Sequence, residues 1–255
     1  VNTTPSFSIV VPTAYGQMIV NRNDINQTNA LVKTGRAIDH HEIGMLQIIA
    51  RAMGDNIEFL DIGANFGVYA LGLAAHVGPK GKVHAFEAQR IIFNMLAGSV
   101  ALNAITNVHC HNVAVGKGDG KIEVPQYDYS KPLNFGSIEF SAQQNEALTQ
   151  KRSYDMDKVE FVKLVNIDSY GFEMASLIKI DAEGMEIDIL DGAAETIKRC
   201  RPVMFIEFLK VDRYRLRHQI ENFGYAVHES GVNYLCIPHE LGARIKVSTA
   251  LRPPT

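Results

Sequence analysis

The chain has 255 residues, a formal net charge of −3 and 46% hydrophobic residues, enough for one α/β domain with additions and a full core. A mildly acidic chain without a basic stripe disfavours a nucleic-acid partner, and no run of about 18 apolar residues offers a membrane span. Three cysteines, Cys110, Cys200 and Cys236, lie far apart with no CxxC pair. A reducing, cytoplasmic setting is therefore expected, with each thiol a small buried hydrophobe.

The first stretch, VNTTPSFSIVVPTAYG, has no basic n-region and no long apolar h-region, so it is not read as a signal peptide. Its SFSIVV run is a candidate contact for a homodimer. Residues 1–53 read as a cap: a β-like start, AYGQMIVNRND, then a helix over about 41–53 with His40 and His41 before it. Both histidines are expected at the cap or in solvent, with a role as base the alternative.

From residue 54 the pattern changes. IEFLDIG is a short apolar run stopped by glycine, as a buried parallel strand is. A helical pattern follows to about His76, then the strand KVHAFEA, the amphipathic helix QRIIFNMLAGSVALNA and a third strand, NVHCHNVAVG. The segment 117–170 breaks the rhythm with the strand-like pieces KIEVPQY, GSIEF and VEFVKLVNI around a polar run, SAQQNEALTQKRS. An insertion of this kind at a ligand edge shapes a substrate site or is a surface hairpin. SLIKIDAEG is a fourth strand, GMEIDILDGAAETIKRC its helix and PVMFIEF a fifth strand. A helix over about 211–223 leads to YAVHES and NYLCIP, a terminal antiparallel hairpin. The basic residues Lys198, Arg199 and Arg201 fall at a helix end, and Arg213, Arg215 and Arg217 on a solvated helix face.

Repeated strand–helix units predict a doubly wound, mostly parallel α/β sheet of seven strands, with residues 54–255 as one cofactor-binding domain. Ligands in such sheets bind beyond the carboxyl ends of the strands. Asp61, Glu87, Asn112, Asp181 and Glu207 all fall at or just past such ends.

The turn Gly63-Ala64-Asn65-Phe66-Gly67 lacks the second and third glycines of a dinucleotide fingerprint. Asp61 would stand badly beside a pyrophosphate. S-adenosylmethionine has no phosphate, and its ammonium suits a carboxylate at Asp61. The glycines are expected to admit the methionine portion. Glu87 suits the ribose hydroxyls, Asn112 the adenine edge, and Val113 and Ala88 the faces of the ring.

These same stretches, FLDIGANFGVYAL, VHAFEAQ with Asn94 and Asn103 after it, NVAVG and IKIDAEGMEIDILDGA, resemble the FkbM family of S-adenosylmethionine-dependent methyltransferases. YGQMIVNRND and the helix of Glu42 resemble that family's N-terminal part. The resemblance implies a class I methyltransferase fold acting on hydroxyls of sugars, glycans or secondary metabolites. Asp181 then becomes the candidate for orienting the acceptor or taking its proton, with Glu183, opening the next helix, and Glu207 as supporting acids. The same three acids offer the hard oxygen ligands that Mg²⁺ takes, a secondary expectation. No Asn/Asp-Pro-Pro-aromatic motif and no Pro-Cys pair point to nucleic-acid chemistry. Two other classes stay open: an NAD-dependent sugar oxidoreductase, which needs a Tyr/Lys proton-donor pair, and a non-catalytic partner that keeps the cofactor fold.

Overall fold

The computed structural model describes residues 6–137 and 159–242. The polar run 141–153 and most of GSIEF lie outside the described residues. The chain opens with β1 (Ser8–Thr13) and β2 (Gly16–Asn21), an antiparallel hairpin, then α1 (Gln27–Thr34) and α2 (His40–Met53). SFSIVV thus pairs with β2 of its own chain. The α1 helix is absent from the sequence reading, because its Asn, Gln and Thr residues carry no apolar stripe. It stops at Gly35, whose left-handed backbone lets its N–H return to the Leu31 carbonyl.

The core sheet begins with β3 (Glu58–Ile62) and continues through α3 (Val68–Ala74), β4 (Lys82–Phe86), α4 (Arg90–Leu102) and β5 (Val108–His111). Beyond the insertion come β6 (Ala114–Val115), β7 (Gly120–Pro125) and β8 (Val159–Val165), then β9 (Ala175–Ile180), α5 (Glu186–Gly192), α6 (Ala194–Cys200) and β10 (Val203–Glu207). The chain closes with α7 (Arg213–Asn222) and the hairpin of β11 (Tyr225–Ser230) and β12 (Asn233–Pro238).

Seven strands form the main sheet in the order β11-β12-β10-β9-β3-β4-β5. The run from β10 to β5 is parallel, and β12 lies antiparallel between β10 and β11. This is the α/β, class I methyltransferase-like architecture. The predicted third strand divides in two. β5 stays in the main sheet, while β6 leaves it to pair with β8 in a separate sheet with β7. The single helix predicted after β9 also divides, at Ala193, into α5 and α6.

Alternation along the strands sorts the core. Phe59, Val83, Leu177 and Phe205 pack with α2, α3 and α4 on one face. Leu60, Phe86, Ile178 and Ile206 pack with α5, α6 and α7 on the other. The hairpin of β1 and β2 is clasped by α4. The Asn103 side chain accepts from Gln17 N (2.8 Å) and donates to Gln17 O (2.7 Å), and Ser99 Oγ accepts from Ile19 N (2.8 Å). Among the described residues no helix is long and apolar enough to cross a membrane.

Strands β3 and β9 are neighbours, and their ends meet at Gly63. A Cβ there would stand 1.8 Å from the Asp181 carbonyl oxygen, and the backbone is left-handed at φ +75. Gly63→Ala should therefore lower stability by about 2–5 kcal/mol, the sum of overpacking and backbone strain. Urea unfolding checks this, and a loss below about 1 kcal/mol would show that the two strand ends separate at little cost.

Candidate active site

The parallel strands deliver their carboxyl ends to one edge. Asp61 lies within β3, Glu207 closes β10, and Glu87, Asn112 and Asp181 follow β4, β5 and β9. Two adjoining cavities open there. The first, about 80 Å³, is lined by Gly63, Ala64, Glu87, Ala88, Gln89 and Val113 among others. The second, about 200 Å³, is lined by Asn26, Ile38, Asn134, Glu207, Leu209 and Lys210 among others. Gln27, Asp39, Asn65, Asp181 and Glu183 border both.

Glu87 is buried at the wall of the first cavity. It accepts from Asn65 N (2.9 Å) and Gln89 N (2.7 Å), and burial pushes its carboxyl up to about 7 against those donors. Asn112 is not on the wall. Its amide donates to the carbonyls of Glu87 (2.9 Å) and Ala88 (3.2 Å), so it fixes the turn that carries the two instead of reaching an adenine edge. Gln89 went unnoticed in the sequence. It is buried, its Nε2 donates to Phe135 O (2.9 Å), and its Oε1 has no hydrogen-bond partner among the described residues. Asn65 Oδ1 is left in the same condition.

Asp61 lies behind this wall, fully buried, with neither oxygen hydrogen-bonded among the described residues. Its nearest cation is Lys179 Nζ at 3.6 Å, and burial raises its carboxyl despite that ammonium. Lys179 also donates to Gly63 O (3.0 Å) and lies 3.4 Å from Asp181 Oδ2. Burial draws Lys179 down, but the carboxylates of Asp181, Asp61, Asp39 and Glu207 outweigh it and hold the ammonium above its usual range.

The two glycines have reasons within the chain. Gly63 meets the Asp181 carbonyl, and a Cβ at Gly67 would stand 2.3 Å from Leu96 Cδ1. Gly63 lines the first cavity and Gly67 does not. Glu183 does not open the helix as expected. It sits in the left-handed turn before α5 at φ +56, paired with Lys210. The residue that starts α5 is Glu186, whose carboxylate accepts from Ala182 N (3.0 Å) and Gly184 N (3.1 Å) and so closes the turn. Burial, reinforced by Asp181, pushes Glu183 up to about 8, and burial with Asp181 and Glu183 pushes Glu207 up to about 9.

Neither His40 nor His41 borders either of these cavities, and His40 Nδ1 instead lies 2.9 Å from the Tyr15 hydroxyl. Asp39, at the start of the same helix, does border both, and burial with Asp181 sets it at about 6 against the pull of Lys179. The Mg²⁺ expectation finds no support. Among the described residues no group of three or more His, Cys, Asp or Glu is arranged to hold a metal ion, and Lys210 occupies Glu183. The chain carries two Y-x-x-x-K spacings of the kind the oxidoreductase reading requires, at Tyr127 with Lys131 and at Tyr154 with Lys158. Tyr127 and Lys131 border neither cavity, Lys131 pairs with Asp128, and the second pair lies outside the described residues.

The family model of the methyltransferase FkbM domain matches residues 61–228, from the acid of β3 to the terminal hairpin. The chain belongs to the FkbM methyltransferase family. No curated protein matches it. Among solved structures it is similar to a methyltransferase FkbM from Methylobacillus flagellatus KT, at 20% identity over 71% of this chain, with a TM-score of 0.48. The chain spans 43% of that protein's length. It is also similar to an S-adenosylmethionine-dependent O-methyltransferase from Thermotoga maritima, at 10% identity over 87% of this chain and 66% of that one, TM-score 0.45. A third is a precorrin-6y C5,15-methyltransferase from Geobacter metallireducens GS-15, at 13% identity over 75% of each chain, TM-score 0.44.

FkbM methyltransferases depend on S-adenosylmethionine, and the chemistry of the first cavity fits that donor. Glu87 presents a carboxyl, Gln89 and Asn65 present unmet acceptor oxygens, and Ala88 and Val113 present small apolar faces.

The raised carboxyls have a stability consequence. Folded Glu87, Glu183 and Glu207 keep protons that the unfolded chain releases near 4.5. Stability from these groups is complete below that value and is lost as pH rises through about 7, 8 and 9 in turn. The melting midpoint of the ligand-free protein should fall across this window, and Glu207→Gln should flatten its upper part. A midpoint that holds level or rises there would show the acids ionised in the folded protein.

Proposed function

We propose that the protein transfers a methyl group from S-adenosylmethionine to a hydroxyl of a sugar, glycan or related secondary metabolite. The observation that supports this is the second cavity. It adjoins the first and shares Asp181 with it, and it is lined by carboxyls and amides, including Asn26, Gln27 and Asn134. Such groups match a polyhydroxylated acceptor donor for donor and acceptor for acceptor.

In this reading Glu87, Ala88, Gln89 and Val113 hold the donor, with Gly63, Ala64 and Asn65 as the turn beside it. S-adenosylmethionine, when bound, supplies an electrophilic methyl group. Asp181, at the junction of the cavities, aligns the acceptor hydroxyl and takes its proton as the oxygen gains the methyl. Glu183, held by Lys210, and Glu207 line the second cavity and meet the acceptor's other hydroxyls. The cap of residues 1–53 supplies Gln27 and Asp39, and the insertion 117–170 supplies Asn134 and Gly136, so both shape the acceptor site over the domain of residues 54–255.

The test has two stages. S-adenosylmethionine and S-adenosylhomocysteine at a hundredfold excess over their dissociation constants should each stabilise the protein by about 2.7 kcal/mol in thermal unfolding, and NAD should not. Labelled methyl transfer is then screened over sugars, glycosides and glycans, and Asp181→Asn should slow the transfer found by about 10²-fold or more while S-adenosylhomocysteine affinity is kept. Stabilisation by NAD alone, or transfer by Asp181→Asn at the wild-type rate, would refute the respective stage.

A further inference from the structure

Lys179 is a buried cation that the reaction described above does not use. Its side chain is 6% exposed and sits inside an apolar strand, in register with Asp61 across the β3–β9 ladder. An ammonium has three N–H donors. One goes to Gly63 O at 3.0 Å, and the carboxylates of Asp181 and Asp61 stand at 3.4 and 3.6 Å. The Tyr69 ring covers the nitrogen with its centroid at 4.9 Å. Of the two carboxylates only Asp181 borders the cavities.

We propose that Lys179 is a positioning residue of the methyl-transfer site, whose ammonium holds the Asp181 carboxylate at the junction of the cavities by tying it to Asp61 and to the Gly63 turn. This rests on the reading of Asp181 as the group that meets the acceptor. A buried ion pair is weak support for stability, since an apolar pair of similar volume serves as well. The arrangement makes sense as geometry instead. The cation comes from the strand that ends in Asp181, so carboxylate and ammonium share one rigid element. Its second partner, Asp61, is on the neighbouring strand, fully buried, with Lys179 as its nearest cation. The pull of Lys179 is needed because other acids surround Asp181. Asp39 before α2, Glu183 in the turn, Glu186 in α5 and Glu207 in β10 all face it, and Lys210 is paired with Glu183.

The experiment reads Asp181 directly and needs no acceptor. Protein labelled with carboxyl-¹³C aspartate is titrated by NMR with S-adenosylhomocysteine present, and the Asp181 signal is assigned from its loss in Asp181→Asn. In Lys179→Met the Asp181 midpoint should move up by about 1–3 pH units, as expected when an opposite charge is removed. Lys179→Arg, which keeps the charge, should leave it near the wild-type position. If Lys179→Met does not fold because Asp61 is left buried and unpaired, Lys179→Met with Asp61→Asn removes that charge and is titrated in its place. A midpoint higher in the double variant than in Asp61→Asn alone supports the proposal, and equal midpoints in those two overturn it, leaving Lys179 as a counter-ion for Asp61 only. Failure here leaves the methyltransferase reading and the role of Asp181 intact, whereas undiminished transfer by Asp181→Asn removes the role of Asp181 in meeting the acceptor and leaves the titration result for Lys179 as it stands.

Discussion

The site depends on one close approach: the Gly63 backbone against the Asp181 carbonyl. β3 and β9 are adjacent parallel strands, and Asp181 N donates to Ile62 O at 3.1 Å just past their last paired residues. The chain must then turn away at once on both strands, and no side chain fits between the turns. Because the turns touch, the residues one step back are forced into register as well. Asp61 lies opposite Lys179, and Lys179 reaches the Gly63 carbonyl. A wider gap at this point would separate the turn after β3, which lines the first cavity, from the turn after β9, which borders both. The glycine that a sequence reading assigns to a ligand is thus required first by the chain itself.

What the sequence made legible was the set of strand ends. Short apolar runs broken by Gly or an acid located β3, β4, β5, β9 and β10, and with them Asp61, Glu87, Asn112, Asp181 and Glu207 at one edge. The hairpin of β11 and β12 was legible for the same reason, since YAVHES and NYLCIP are bounded by glycine. The division of NVHCHNVAVG into β5 and β6 was not, because two residues, Asn112 and Val113, suffice to leave one sheet for another, and periodicity does not register so short a break. The same holds for Ala193 between α5 and α6.

Several site residues were illegible for a further reason, which is that their role exists only across the fold. Lys179 reads as one charge in an apolar strand until Asp61 is brought beside it. Gln89 reads as a helix start. Glu186 reads as one more acid of an acidic helix, yet it closes the turn that holds Glu183 left-handed. Asp39 was overlooked for His40 and His41, the residues whose ordinary titration range draws attention. Burial, which the sequence does not print, is what makes the aspartate the one at the cavity.

The wall of the second cavity draws on the cap and on the loop around Asn134, and the two are tied together. Asp24, in the cap, is buried, and its Oδ1 accepts from Thr28 N at 2.8 Å at the start of α1. Its Oδ2 accepts from Phe135 N at 3.2 Å, beside a strand-like bridge from Asp24 to Leu133. The same Phe135 gives its carbonyl to Gln89 on the wall of the first cavity. One short loop, Leu133 to Gly136, is therefore held by Asp24 from the cap and by Gln89 from the turn after β4. The cap and the turn of Glu87 are thus joined through two buried side chains, Asp24 and Gln89, that bond to the two ends of the same residue, Phe135.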